Sequence, residues 1–217
     1  MIGYCAADPN YFRLYFELWA SQMNRVYPDM HKIVAVYNPS REIERKCQAY
    51  GVELREATLV DNPGRPHFYL LRWLNLPYDK NQLILETQIN CLAIKPQAFD
   101  LNQTVDHLRI ARYKTANRSG GVSAAVFTPE AAKRIVNQAQ IMLENPIDDD
   151  HPMNTWQAKN LSWEKVITEQ QFKDVGQVIE PWCCWITSGT GKKFSSEWKL
   201  NILNHYMEKN QSSELQS

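Results

Sequence analysis

The chain carries no excess of either charge: lysine plus arginine and aspartate plus glutamate number 24 each. A global field that would draw it to nucleic acid or to a membrane surface is therefore missing, and only a local basic patch could serve. Five cysteines occur, Cys183 and Cys184 side by side, with no C-x-x-C pair and no metal-ligand spacing. That pattern argues against a zinc site or a disulfide framework and favours reduced thiols in a cytoplasmic protein. No apolar stretch approaches the ~20 residues of a membrane span. No basic segment followed by a long apolar run opens the chain, so no signal peptide is expected. There is no internal repeat.

What is present is enough for a packed core. Apolar residues make up 44% of the 217 and aromatic residues 11%, which excludes a disordered chain. The length suits a single domain, read here as residues 1–208, with a polar, frayed tail at 209–217. Strands are predicted at 1–7, 31–37 and 52–59, and helices at 11–26, 39–50 and 66–76. Asp8 or Asn10 is available to cap the first helix, and Gly51 to end the second. Strand alternating with helix predicts a mostly parallel sheet covered by helices on both faces, an α/β fold. The second half is less regular. Strands are predicted at 107–113, 122–127, 163–168 and 178–186. Helices are predicted at 129–143, with Thr128 as cap, and at 195–208, while 148–159 is read as an acidic turn with a short helix.

The stretch that organises the chain is QLILETQINCLAIKP at 82–96. The run Leu83, Ile84, Leu85 fits a strand buried on both faces. Glu86, Thr87 and Gln88 follow it, and a second alternating segment runs from Ile89 to Ala93. Polar side chains at the carboxyl end of a buried strand are where open α/β sheets place ligands. Read alone, the segment favours an ordinary strand with a polar exit over a ligand site.

The same stretch resembles the central motif of nucleotide-sugar glycosyltransferases of the GT-A (Rossmann-like) fold, above all the glycogenin and lipopolysaccharide galactosyltransferase family (glycosyltransferase family 8). There an apolar strand leads to Asp-x-Asp, whose aspartates hold a divalent metal on the donor diphosphate. Glu86 and Gln88 stand at those positions, so the frame matches and the ligands do not. Four further segments resemble the family in the same order. YCAADPNYF at 4–12 looks like its opening strand; by resemblance Asp8 would bond the nucleotide base and Tyr11 stack on it. Without the family, Asp8 reads as a helix cap and Tyr11 as a packed helix residue. HFYLLRWLNLP at 67–77 places Arg72 where relatives direct an arginine at the diphosphate, a role its rigid fork of donors suits. SGGVSAAVFTPEAAKRI at 119–135 puts Ser119 on the acceptor side. DDDHPMN at 148–154 resembles a segment that touches the donor sugar near the anomeric carbon. There Asp149 and Asp150 would stabilise developing charge or hold an acceptor hydroxyl, and His151 and Asn154 would line the sugar side.

ITSGTGKKF at 186–194 resembles the late segment whose histidine is the third metal ligand. Thr187 or Ser188 replaces that histidine, while Gly189 and Lys192 match; glycine turns with lysines also cradle phosphate in general. The resemblance thus implies a donor-binding set of Ala6, Asp8, Tyr11, Arg72, Glu86, Thr87, Gln88, Gly189 and Lys192. It implies a hexosyl- or pentosyltransferase moving a sugar from a uridine diphosphate sugar to a hydroxyl. No resident cofactor is expected: the metal site keeps Glu86 at most, so transfer is expected to be metal-independent. The acceptor is left open between a saccharide, a lipid-linked sugar and a modified nucleic acid. Two other functions stay open, a non-catalytic nucleotide-sugar-binding protein and a phage-type enzyme glucosylating modified DNA bases. The second would draw on the local basic residues Arg109, Arg112, Lys114 and Arg118.

Overall fold

A computed structural model describes residues 1–59, 65–93, 96, 107–115, 118–144, 173–174 and 183–185. The first strand, β1 (Ile2–Ala7), leads into helix α1 (Pro9–Val26). Asp8 caps that helix, its Oδ1 accepting from the backbone N–H groups of Asn10 (2.8 Å) and Tyr11 (3.1 Å). Pro9 follows the cap, where its missing N–H costs nothing, so the helix starts two residues earlier than expected. Phe12, Tyr15, Phe16, Trp19, Ala20, Met23 and Val26 form its buried stripe, spaced by threes and fours as one helix face requires.

Strand β2 (His31–Val36) is followed by α2 (Arg41–Ala49), which Ser40 caps through its hydroxyl. Gly51, at φ +66°, ends α2 as the sequence predicts. The Val52 N–H reaches the Cys47 carbonyl (2.9 Å) and the Gly51 N–H that of Gln48 (3.2 Å), the paired closure that a left-handed residue permits. Strand β3 (Glu53–Glu56) is shorter than the predicted 52–59. It lies at the sheet edge and is matched only by Ile33 to Val36 of β2, so it stops where its partner stops. Helix α3 (Arg65–Leu74) and a 3-10 turn (Tyr78–Lys80) lead to β4 (Ile84–Thr87).

The second half contributes β5 (Cys91–Ala93), β6 (His107–Thr115), β7 (Arg118–Phe127), α4 (Pro129–Glu144), β8 (Lys173–Asp174) and β9 (Cys183–Trp185). Thr128 caps α4 as expected, its Oγ1 accepting from the Ala131 N–H at 3.2 Å. The main sheet runs β3-β2-β1-β4-β7-β6-β8. Its first four strands are parallel to one another; β7 is antiparallel to β4 and β6, and β8 is parallel to β6. The predicted α/β, mostly parallel sheet is therefore present, with an antiparallel hairpin on one side.

Strand alternation sends side chains to two cores. Cys5, Ala7, Val34, Val36, Leu85, Ala124 and Val126 meet α1 and α2. Ile2, Tyr4, Ile33, Ala35, Ile84, Ala125 and Phe127 meet α3 and α4. Both faces are covered, as near-continuous apolar strands demand.

Three differences from the sequence reading have physical causes. The chain turns at Ile89–Asn90, closed by the Cys91 N–H on the Gln88 carbonyl at 2.8 Å. So β5 leaves the main sheet and pairs antiparallel with β9 in a separate two-stranded sheet. Gly120 and Gly121 lie inside β7 rather than before it, because pairing with β6 continues to Thr115 opposite Arg118. The two-residue β8 has no apolar run and gave no signal. The predicted turn at 61–64, acidic turn with a short helix at 148–159, strand at 163–168, helix at 195–208, and tail at 209–217 lie outside the described residues.

Candidate functional site

Strands β1, β2 and β3 succeed one another toward one edge, and the crossover through α3 then places β4 on the other side of β1. The direction of winding reverses between β1 and β4, and ligands of open α/β sheets bind outside the carboxyl ends of such a strand pair. The sequence-predicted Ala6, Asp8, Tyr11, Glu86, Thr87 and Gln88 all stand there, carried by β1 and its exit or by β4 and its exit.

Glu86 is fully buried, and Arg72 comes to it from α3. Arg72 Nε donates to Glu86 Oε1 at 2.7 Å and a terminal guanidinium nitrogen donates to Oε2, so both carboxylate oxygens are engaged. The Arg72 side chain is 13% exposed, which makes it the edge of the pair nearest solvent. Its guanidinium also lies 4.3 Å from the centre of the Trp73 ring, and Trp73 packs edge-on against Phe127. Burial pushes the Glu86 carboxyl above its usual range, and Arg72 opposes that push by attraction and hydrogen bonding. Two neighbours on β1 feel the same dry surroundings. Burial, and then the charge of Glu86, raise both the Tyr4 phenol and the Cys5 thiol well above their ordinary values.

Thr87 points to the opposite face. Its hydroxyl accepts a hydrogen bond from the Trp19 indole N–H at 2.8 Å, tying α1 to the end of β4. Gln88 is half-buried in the turn that follows. Asp8 serves as the cap of α1 through Oδ1. Tyr11, one turn into that helix, is 49% exposed and tilted against Tyr15 at 5.7 Å between ring centres.

Ser119 sits at the start of β7, opposite Lys114. Because β7 is antiparallel to β4, its start lies on the carboxyl side of β4. Thr87 is matched with Ala124, so Ser119 stands five residues farther along, about 17 Å away at strand rise. Asp149, Asp150, His151, Asn154, Gly189 and Lys192 lie outside the described residues, as do Thr187 and Ser188. Among the described residues no three His, Cys, Asp or Glu side chains converge on a point that could hold a metal. Two residues of this region were not singled out from sequence, Tyr4 and the Trp19 partner of Thr87. Each occupies an apolar position of its element, so nothing in the pattern marks it as polar machinery.

No family model matches the sequence, and no curated protein matches it. Solved structures do resemble it. The glycosyltransferase GlyE of Streptococcus pneumoniae is 13% identical over 98% of this chain and 64% of its own, with a TM-score of 0.61. The apo form of GlyE gives a TM-score of 0.57 at 12% identity, over 96% of this chain and 63% of that one. A glycosyltransferase involved in glycosylation of the major capsid of PBCV-1 is 8% identical, over 94% of this chain and all of its own, at 0.50. The chain thus spans about two thirds of the length of GlyE. These likenesses show a GT-A-like fold, the fold that the sequence resemblance implies.

Proposed function

We propose that this chain is a glycosyltransferase that takes a sugar from a nucleotide diphosphate sugar, with uridine diphosphate as the carrier, and passes it to an acceptor hydroxyl. One observation carries the proposal: a buried Arg72–Glu86 pair at the winding reversal of a GT-A-like sheet, in which only the Arg72 side chain keeps any exposure. A planar fork of donors at that point suits phosphate oxygens. Tyr11 offers a stacking face for the base. Asp8 caps its helix with Oδ1, which leaves Oδ2 for the base edge.

Metal independence belongs to the same reading. A divalent ion needs carboxylate and other hard oxygen ligands. Both oxygens of Glu86 are already held by a cation of the protein, and Gln88 brings only a neutral amide. Charge developing on the leaving diphosphate would then be met by Arg72, with Lys192 as a second cation. The work of the site would be positioning and electrostatic stabilisation. Asp149 and Asp150, with His151, Asn154 and Ser119, are assigned to the sugar and acceptor side by resemblance. The acceptor class is a saccharide or a lipid-linked sugar; the zero net charge weighs against duplex DNA.

A second reading, a protein that binds nucleotide sugars without turning them over, is favoured by the same sequestration of Glu86. A thermal-shift panel of nucleotide sugars, followed by mass spectrometry for hydrolysis or transfer, separates the two. Saturation at ~100 times the dissociation constant adds about 2.7 kcal/mol of stability. Binding with turnover supports the transferase, and binding without it supports the second reading. No shift with any nucleotide sugar at millimolar concentration removes both.

A further inference from the structure

Tyr4 is fully buried, and its hydroxyl has no hydrogen-bond partner among the described residues. A phenylalanine would fill the same space without the penalty of an unsatisfied buried hydroxyl. The position of that hydroxyl gives a reason for it. Tyr4 lies directly opposite Glu86 in the register of β1 and β4, and both side chains face α3. Neighbouring strands are ~4.8 Å apart, so the two side chains leave the sheet side by side on one face.

Glu86 has a problem that Tyr4 can solve. Its carboxylate is held by Arg72 alone among the described hydrogen bonds. If the guanidinium turned outward to a phosphate, it would leave an uncompensated charge in a dry core, the costliest way to break a buried pair. A second donor on the same face removes that obstacle, and a phenol kept neutral by burial has a proton to donate. We propose that Tyr4 is a reserve hydrogen-bond donor for Glu86, which takes over the carboxylate when Arg72 engages the diphosphate of a bound nucleotide. Tyr4 is then a positioning residue: it acts on the ligand through Arg72 and sets how freely that side chain is released. The ligand half of this proposal rests on the transferase reading; the reserve-donor half does not.

Two measurements test it. The first needs no ligand: urea midpoints of wild type, Tyr4→Phe, Arg72→Met and the double variant. Tyr4→Phe should raise the midpoint in the wild-type background, where the hydroxyl is orphaned. It should lower the midpoint in the Arg72→Met background, where the hydroxyl has become the donor to Glu86. A shift of equal sign and size in both backgrounds overturns the proposal. The second is calorimetric titration with uridine diphosphate, which decides the matter if Arg72→Met does not fold. Tyr4→Phe should weaken binding about tenfold while stabilising the free protein, opposite signs that a purely structural role would not produce. Equal affinities in wild type and Tyr4→Phe overturn the exchange and leave the transferase reading standing. Failure of wild type itself to bind overturns both the exchange and that reading.

Discussion

Trp19 donates its indole N–H to the Thr87 hydroxyl at 2.8 Å, and both residues are buried. Thr87 sits next to Glu86, so the first helix is fastened to the strand end that carries the candidate site. Thr87→Val keeps the shape and removes the acceptor. The indole N–H is then buried without a partner, and stability should fall by about 1–3 kcal/mol in urea denaturation. A loss within error would mean that Trp19 finds another acceptor there.

Breaking the Arg72–Glu86 pair from one side should be costlier. Arg72→Ala should destabilise by about 3–5 kcal/mol, since it leaves the buried Glu86 carboxyl without its partner. Replacing both residues by leucine should return most of that stability, because a buried ion pair is seldom better than apolar packing. The same double variant should lose nucleotide binding. Recovered stability without recovered binding in calorimetry would assign the pair to ligand recognition rather than to the core.

Transfer should persist in excess chelator. A metal on a leaving diphosphate supplies several kcal/mol of charge stabilisation, so a metal-dependent site would lose nearly all activity. Here the carboxylate at that place is already paired with Arg72. Lys192→Ala should instead produce the large loss. Abolition by chelator and rescue by manganese would make Glu86 a metal ligand in the working protein.

The alkaline limb of the stability curve should be steep. Burial pushes the Cys47 thiol up to about 12. Burial raises Tyr4 and Cys5 as well, with the Glu86 charge adding to it. A group whose folded value lies above its unfolded value contributes fully below the unfolded value. For Cys47 that contribution is complete below about pH 9 and is lost as pH climbs from there to about 12. The slope is about 1.4 kcal/mol per pH unit for each such group. Urea stability measured between pH 8 and 11 should fall less steeply in Cys47→Ala; parallel curves would show that another group titrates.

Much of the fold was legible because its signals are local. The cap at Asp8, the left-handed Gly51 and the Thr128–Pro129 start each act within one turn of chain; the structure places the last two as read and takes Asp8 from the pair Asp8 or Asn10. The buried strands announced themselves as apolar runs. Illegible was whatever depends on a distant partner. The length of β3 is set by β2, the departure of β5 by β9, and β8 exists only as a two-residue match to Leu108 and Arg109. At the site, the sequence placed Arg72 and Glu86 in one region by resemblance. Nothing in it showed that they bind each other, since fourteen positions and a change from helix to strand separate them. Tyr4 was hidden for the opposite reason: tyrosine is an ordinary strand residue, and only its lack of a hydrogen bond among the described residues makes it notable.

The place of β4 in the sheet also bears on how the chain is made. Its partner on one side, β1, is synthesised before it; its partner on the other, β7, follows about thirty residues later. During that interval a fully buried strand, Ile84 to Thr87, has one edge of backbone groups with nothing to pair with. Open apolar edges recruit strands from other molecules. A chain ending at Ala93 should therefore self-associate in light scattering at concentrations where the full chain does not. A ribosome-bound chain should need shielding over the same stretch of synthesis.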